Sequence, residues 1–266
     1  MSLVCSLWRA FYTASCFAYV YVGGAILSLF YCPFLFLFFR EDKQKLARLT
    51  RLAISKCFGL MLKVARLVGA FDVNVIDIEK VLNDKSCVII ANHPSFIDYV
   101  MLASIIPDLN CIVKKEMANN LMFRVLIRCA GYISNEDSDD KLDEIKNRLT
   151  SGDKILIFPE GTRTVDDTNI KLKRGVAHLA LRAHCGVRVL CISCNEKFLT
   201  KNNHCFDIYP KKPVFTIVAK QFISSDYIMS NYGNEQYSLG ARHLTKELRS
   251  IMQINLDEAN KQYESN

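Results

Sequence analysis

The chain has no charged side chain between Arg9 and Arg40. That absence excludes a solvated surface helix there. The run is rich in Phe, Tyr, Leu and Val and exceeds the roughly 20 apolar residues that cross a bilayer. It is too long, and too poor in a small-residue cleavage pattern, for an ordinary secretory leader. The eleven cysteines follow no regular spacing and are odd in number, so a disulfide-stapled scaffold is not expected. Reduced thiols facing the cytosol are. No zinc-finger spacing, aromatic RNA-binding motif or basic tail occurs, which leaves nucleic acid without a reader. No G-x-S-x-G elbow occurs, which counts against a serine hydrolase. No internal repeat or low-complexity segment suggests a solenoid or a linker.

What is present fits one substantial core with an appendage: 266 residues, half of them hydrophobic, with the excess at the amino end. The formal net charge of +7 suits an anionic membrane surface, a phosphate-bearing substrate or an acidic carrier protein. Three regions are expected: a membrane anchor over 1–40, a basic amphipathic juxtamembrane helix over 41–70, and a catalytic domain over 71–266. Gly23-Gly24 and Pro33 leave the anchor open to two forms, a full span or a re-entrant hairpin. Arg40, Lys43, Lys45, Arg48 and Arg51 follow it, against Arg9 before it, so the positive-inside rule puts the remainder on the cytosolic face. From Asp42 to Val68, Leu46, Leu49, Ala53, Phe58, Leu60 and Leu67 alternate helically with Arg48, Arg51, Lys56, Lys63 and Arg66. Such a helix rests at the headgroup level or packs on the domain with a solvated basic face. Gly69 closes it.

From Phe71 onward, strand and helix patterns alternate. Strands are expected at Asp72–Ile76, Cys87–Ala91, Cys111–Val113, Gly131–Ser134, Lys154–Phe158, Val187–Cys194 and Val214–Ala219. Helices are expected at Pro94–Ile106, about Ala118–Ala130, from a Ser138 cap with Asp139 and Asp140 in its first turn to Gly152, from Arg174 to His184 closed by Gly186, and over about Tyr237–Tyr263. That alternation predicts an α/β fold with a largely parallel central sheet flanked by helices. Cys191 and Cys194 form a C-x-x-C, with His184, Cys185, His204 and Cys205 nearby. A strand there puts the two thiols on opposite faces, so packed cysteines are expected rather than a zinc or redox site.

The stretch that organises the chain is Ser86-Cys-Val-Ile-Ile-Ala-Asn-His-Pro-Ser-Phe-Ile-Asp98. A continuous β-branched run leads to His93, and Pro94 suits the first position of a helix. His93 sits on the lip between strand and helix and can turn back to Asp98, five residues on. A carboxylate on one ring nitrogen fixes the tautomer and raises the basicity of the other, which can take a proton from a substrate hydroxyl. A second strand, in Ile155-Leu-Ile-Phe-Pro-Glu-Gly-Thr-Arg-Thr164, runs into a polar loop at its carboxyl end, where open α/β sheets collect their sites.

Together, Asn-His-Pro-Ser-Phe-Ile-Asp and Phe-Pro-Glu-Gly-Thr-Arg resemble the glycerolipid acyltransferase family, over most of the chain after about residue 85. The resemblance implies that His93 is a general base, Asp98 its orienter, and Glu160, Gly161, Thr162 and Arg163 the acceptor-binding loop. Gly161 permits close backbone approach, and Arg163 offers a planar fork for phosphate. Lys114, beside Lys115, resembles a basic pair common in the family. Lys171, Lys173 and Arg174 lead into a helix start and suit a lipid phosphate, the phosphates of coenzyme A, an acyl carrier protein, or only solvent. The implied activity is membrane-bound O-acyl transfer from acyl-CoA or acyl-ACP to a lysophospholipid hydroxyl, with no metal or bound organic cofactor. Partners are then a membrane lipid and the acyl donor, and not nucleic acid.

Two departures stand against a routine acceptor. Gly131-Tyr-Ile-Ser-Asn-Glu-Asp137 lacks the family's arginine and is acidic, and Cys191 stands where the family has a proline. Asp98, rather than Glu, matches the glycerolipid branch better than the lipid A acyltransferases. Other readings are an acyltransferase of a specialised non-glycerol lipid pathway, a thioesterase or hydrolase using water or Ser95, and an inactive lipid-binding scaffold.

Overall fold

A computed structural model describes residues 3–135, 139–203, 207, 209 and 211–264. The expected Ser138 cap, Glu136 and Asp137 of the acidic segment, and His204 and Cys205 lie outside the described residues.

The uncharged amino-terminal run is one long helix in three parts: α1 (Leu3–Ile26), a wider π-helical turn (Leu27–Tyr31) and α2 (Cys32–Phe39). The turn is closed by the Cys32 N–H to the Leu27 carbonyl. Pro33, which has no N–H to give the preceding turn, falls at the start of α2, and the widened turn accommodates it. The chain reverses at residues 40–42, and α3 (Lys43–Leu67) begins where the Asp42 carboxylate caps the Lys45 N–H.

The remaining elements are β1 (Asp72–Ile76), α4 (Ile78–Asn83), β2 (Cys87–Ala91), α5 (Asp98–Ile105), β3 (Leu109–Val113), α6 (Lys115–Asn119), α7 (Arg124–Ala130) and β4 (Ile133–Ser134). They continue with α8 (Asp139–Thr150), β5 (Lys154–Ile157), α9 (Gly175–Ala183), β6 (Val187–Cys194), β7 (Val214–Ile223), α10 (Ser225–Tyr232) and α11 (Tyr237–Glu264). Seven strands form one sheet in the order β1-β7-β6-β2-β5-β3-β4. Every pairing is parallel except β6 with β7, so the expected largely parallel α/β sheet is what the chain forms.

Alternate residues of β2 feed two cores. Cys87, Ile89 and Ala91 pack with Met61, Ala65, Met101, Leu102 and Phe215 on one face. Val88 and Ile90 pack with Val176, Leu244 and Leu248 of α9 and α11 on the other. All five residues of β2 are buried, which explains the uninterrupted apolar run in the sequence.

Several expectations need correction. The helix expected at Pro94 begins at Asp98 instead, because the Asp98 carboxylate takes the Ser95 N–H and residues 94–97 form a turn. The single helix expected over 118–130 is two, α6 and α7. The Asn120 side chain accepts the Met122 N–H, a local bond that competes with helical pairing. His184, at φ 50°, ends α9 in place of Gly186. Gly186 instead permits close packing, since a Cβ there would lie 2.5 Å from the Phe222 ring and 3.1 Å from the Ile223 carbonyl. β7 runs four residues past Ala219.

The amphipathic helix α3 packs on the domain, burying Leu46, Ala47, Ile54, Met61 and Ala65. Arg51, expected on its solvated basic face, is 2% exposed. Its guanidinium bonds Asp108 at 2.7 Å, Asp153 at 2.8 and 3.3 Å, and the Ala130 carbonyl at 3.2 Å, while Asn110 adds a bond to Asp153 at 2.8 Å. Asp108 and Asp153 precede β3 and β5, so this network ties α3 to the amino-terminal edge of the sheet.

Candidate active site

β2, β5 and β3 are parallel neighbours, so the segments after Ala91, Ile157 and Val113 emerge along one edge of the sheet. His93 follows β2 there. Its Nδ1 lies 2.7 Å from Asp98 Oδ2, which also accepts the Ser95 N–H at 2.7 Å. The imidazole stacks on Phe158, centroids 4.2 Å apart, and is 21% exposed. With Nδ1 occupied, Nε2 is the nitrogen left for a substrate. Asp98 is fully buried, and desolvation pushes its carboxyl up to about 6 against the opposing pull of His93. Its Oδ1 has no hydrogen-bond partner among the described residues.

The loop after β5 grips the backbone of His93. Glu160 Oε1 accepts the His93 N–H at 3.2 Å, Thr164 Oγ1 accepts it at 3.0 Å, and the Thr164 N–H donates to the His93 carbonyl at 2.7 Å. The Thr164 hydroxyl also donates to Glu160. Burial raises the Glu160 pKa, and Thr164 and the His93 N–H oppose that rise. Asn92 fixes the strand end from the other side, its side-chain amide exchanging bonds of 2.7 and 2.8 Å with the Ile192 backbone in β6.

Gly161, at φ 70°, turns the loop so tightly that a Cβ there would lie 2.6 Å from Lys173 Nζ. Lys173 is therefore folded over the loop, and its N–H bonds the Pro159 carbonyl at 2.8 Å. Arg163 Nη1 donates to the Leu199 and Thr200 carbonyls at 3.2 and 2.8 Å, and its guanidinium lies over the Phe96 ring. The fork expected to be free for phosphate is thus half engaged, joining the Glu160–Arg163 loop to residues 199–200. Thr162 is exposed at the loop tip. Lys114 is exposed at the end of β3 and belongs to no ion pair among the described residues. Arg174 caps the start of α9, exposed.

His93, Asp98, Glu160, Gly161, Arg163 and Lys173 thus share one constellation, with Lys114 and Arg174 on its flanks. Sequence reasoning assigned no role to Thr164, Phe158 or Asn92. The first two lie within or beside the Phe-Pro-Glu-Gly-Thr-Arg run, and Asn92 directly precedes His93, which was the available signal. Ser95, the alternative nucleophile, is 1% exposed and its hydroxyl meets no partner among the described residues. Cys191 and Cys194 do face opposite cores. Among the described residues no group of three or more His, Cys, Asp or Glu is placed to hold a metal.

Residues 72–195 match the family profile described as Acyltransferase. That stretch contains both the Asn92–Asp98 and the Phe158–Arg163 segments. The chain is 30% identical to acl-2 of Caenorhabditis elegans over 48% of each sequence. It is 28% identical to the 1-acyl-sn-glycerol-3-phosphate acyltransferase alpha of Mus musculus, over 45% of this chain and 44% of that one. The 1-acyl-sn-glycerol-3-phosphate acyltransferase of Saccharomyces cerevisiae is 26% identical over 61% and 57%. The matched region spans about half the length of these relatives. In fold, the chain is similar to the crystal structure of PlsC, the 1-acyl-sn-glycerophosphate acyltransferase from Thermotoga maritima. The TM-score is 0.65 at 21% identity, over 95% of this chain and 98% of that one.

Proposed function

We propose that this protein is a membrane-associated O-acyltransferase that moves an acyl chain from an acyl thioester to the free hydroxyl of a lysophospholipid of the 1-acyl-glycerol-3-phosphate type. The observation that carries the reading is the His93–Asp98 pair, with Nδ1 bound, Nε2 left for a substrate and the His93 backbone held by Glu160. His93 Nε2 takes the proton of the acceptor hydroxyl as its oxygen attacks the thioester carbonyl. The tetrahedral intermediate collapses, the carbon–sulfur bond breaks, and the imidazolium returns the proton to the leaving thiolate. The products are an ester and a free thiol. Neither a covalent acyl-enzyme nor a metal is required.

Arg163 and Lys173 are the cations that meet the acceptor phosphate, Arg163 through the Nε and Nη2 that the 199–200 carbonyls leave open. Glu160 acts as a positioning residue through the His93 backbone. The donor is acyl-CoA or acyl carrier protein, delivered to a domain on the cytosolic face.

The helix Leu7–Phe39 is long and apolar enough to cross a membrane. It also lies along α3, antiparallel to it. Trp8 Nε1 bonds the Val68 carbonyl, Tyr12 the Met61 carbonyl and Tyr19 the Cys57 carbonyl, and Leu29, Phe30, Phe34, Leu37 and Phe38 face outward. A helix fastened along the domain in this way favours seating in one leaflet over a full span, with the outward side chains in the acyl region. The test is product analysis. Full-length protein given a labelled acyl thioester and lysophosphatidic acid yields labelled phosphatidic acid; labelled free fatty acid alone, independent of acceptor, contradicts transfer.

A further inference from the structure

Immediately after Lys173 in the chain, Arg174 enters the wall of a cleft that the proposed chemistry leaves unused. It is an open cleft of about 580 Å³ between the loop before α9 and one face of α11. Lys171, Arg174, Arg242, Lys246 and Arg249 line it together with His243. No carboxylate lines it among the described residues, and Lys171, Arg174, Arg242 and Lys246 belong to no ion pair there. Two carboxylates lie at its rim: Asp166 accepts from Thr168 and feels the charge of Lys171, and Glu235 pairs with His243, which leaves Arg174, Arg242 and Lys246 to an outside anion.

A row of cations on a solvated helix needs no explanation, but this one faces a built wall. Arg242, Lys246 and Arg249 recur at helical spacing on α11 and point to a loop pinned against that helix. Gln253 bonds the Asp167 carbonyl at 2.8 Å and the Ile170 N–H at 3.0 Å, and Arg249 bonds Asn169 at 2.7 Å. Holding five cations together costs self-repulsion, which a polyanion removes. The volume is that of a small-molecule site, whereas an acidic carrier protein would dock on a broad convex or flat surface.

Two placements identify the anion. Arg174, in the cleft wall, directly follows Lys173, whose ammonium lies over Gly161, so the cleft lies one residue along the chain from the candidate site. α9 and α11 cover the sheet face opposite the one that packs Cys16, Met61 and Ala65 of the amino-terminal helices. The cleft thus faces away from the apolar helix and toward water, which disfavours a bilayer headgroup.

The geometry points to the cleft as the binding site for the nucleotide phosphates of a coenzyme A thioester donor, with the pantetheine arm reaching over Lys173 to His93. This rests on the acyl-transfer reading and extends it to the donor. Arg174 and the α11 cations hold the phosphates, and Lys173 stays with the acceptor.

The test compares full-length wild type with Arg242→Gln/Lys246→Gln, two exposed positions on α11, and with Lys80→Gln/Lys85→Gln as a charge control elsewhere. The probe is desulfo-coenzyme A, which cannot react. Its affinity falls at least tenfold in the α11 variant, not in the control, and weakens with salt in wild type. The KM for acyl-CoA rises by a similar factor, while the KM for an acyl-pantetheine, which has no phosphate, does not move. Equal binding by variant and wild type, or no binding by wild type, overturns the proposal. So does a variant that keeps desulfo-coenzyme A but loses vesicles containing phosphatidylglycerol, and so does a wild type that accepts acyl carrier protein alone. Cleft-dependent binding without transfer to any lysolipid would sink the transfer reading and leave the cleft standing.

Discussion

Asp98 meets His93 at 2.7 Å across five residues because it is the first residue of α5 rather than a member of its interior. On a continuous helix from Pro94 the two would point apart. The turn at 94–97 brings them together and places the Ser95 N–H on the same carboxylate oxygen. The arrangement leaves a carboxylate in a site with 0% exposure and one oxygen without a partner among the described residues.

That burial has a stability cost with a definite sign. Asp98 has its pKa raised from 3.8 to about 6, so the folded state holds the proton more tightly than the unfolded chain. Stability falls as pH rises from about 4 through 6, and above that the ionised group costs roughly 3 kcal/mol. Asp98→Asn is therefore expected to melt a few degrees higher than wild type at pH 8, and no higher at pH 4. The same variant loses about 10²–10⁴-fold in kcat, because the His93 tautomer is no longer held. Calorimetry at the two pH values, beside turnover, checks both halves.

In wild type the same titration sets the acid limb of activity. Turnover is expected to fall as pH drops through about 6, where Asp98 takes a proton and ceases to support an imidazolium. A pH profile of kcat that is flat from 7 to 5 would contradict this.

Arg51 is expected to matter for folding and not for chemistry. Arg51→Ala leaves Asp153, 6% exposed, without its cation at the far edge of the sheet. Loss of one partner from a buried pair costs about 3–5 kcal/mol. Denaturant unfolding should show that loss, while the KM values of protein that remains folded stay near wild type.

Arg163 is expected to split the kinetic constants. Arg163→Lys keeps a charge but loses the planar group that bonds the Leu199 and Thr200 carbonyls and lies over Phe96. The KM for the lysolipid should rise about tenfold, by roughly the 1.4 kcal/mol of a charge-assisted bond, with the donor KM unmoved. A change in the donor KM alone would reverse the assignment of this loop.

Much of the site was legible because its signals are local. The apolar run at Cys87–Ala91 reads as a doubly buried strand and is one, and His93, Asp98 and the Glu160–Arg163 loop fall at its edge and its neighbour's. What was not legible depends on partners distant in sequence. Arg51 looks like a surface cation until Asp108 and Asp153, 57 and 102 residues away, are brought beneath it. The antiparallel direction of β7 goes with a connection that has no crossover helix among its described residues, which no residue pattern marks. The short α4 and the helix α10 span six and eight residues, too few for a clear helical period. The left-handed cap at His184 uses a residue type that rarely takes it, so Gly186 drew the assignment instead.

The central claim is acceptor-dependent transfer driven by His93. The direct measurement is free-thiol release from an acyl-coenzyme A by the purified full-length protein, with and without lysophosphatidic acid, for wild type and His93→Ala. Release is expected to require the lysolipid and to fall about 10²–10⁴-fold in the variant. Release that proceeds equally without the lysolipid, or that survives in His93→Ala, would contradict it.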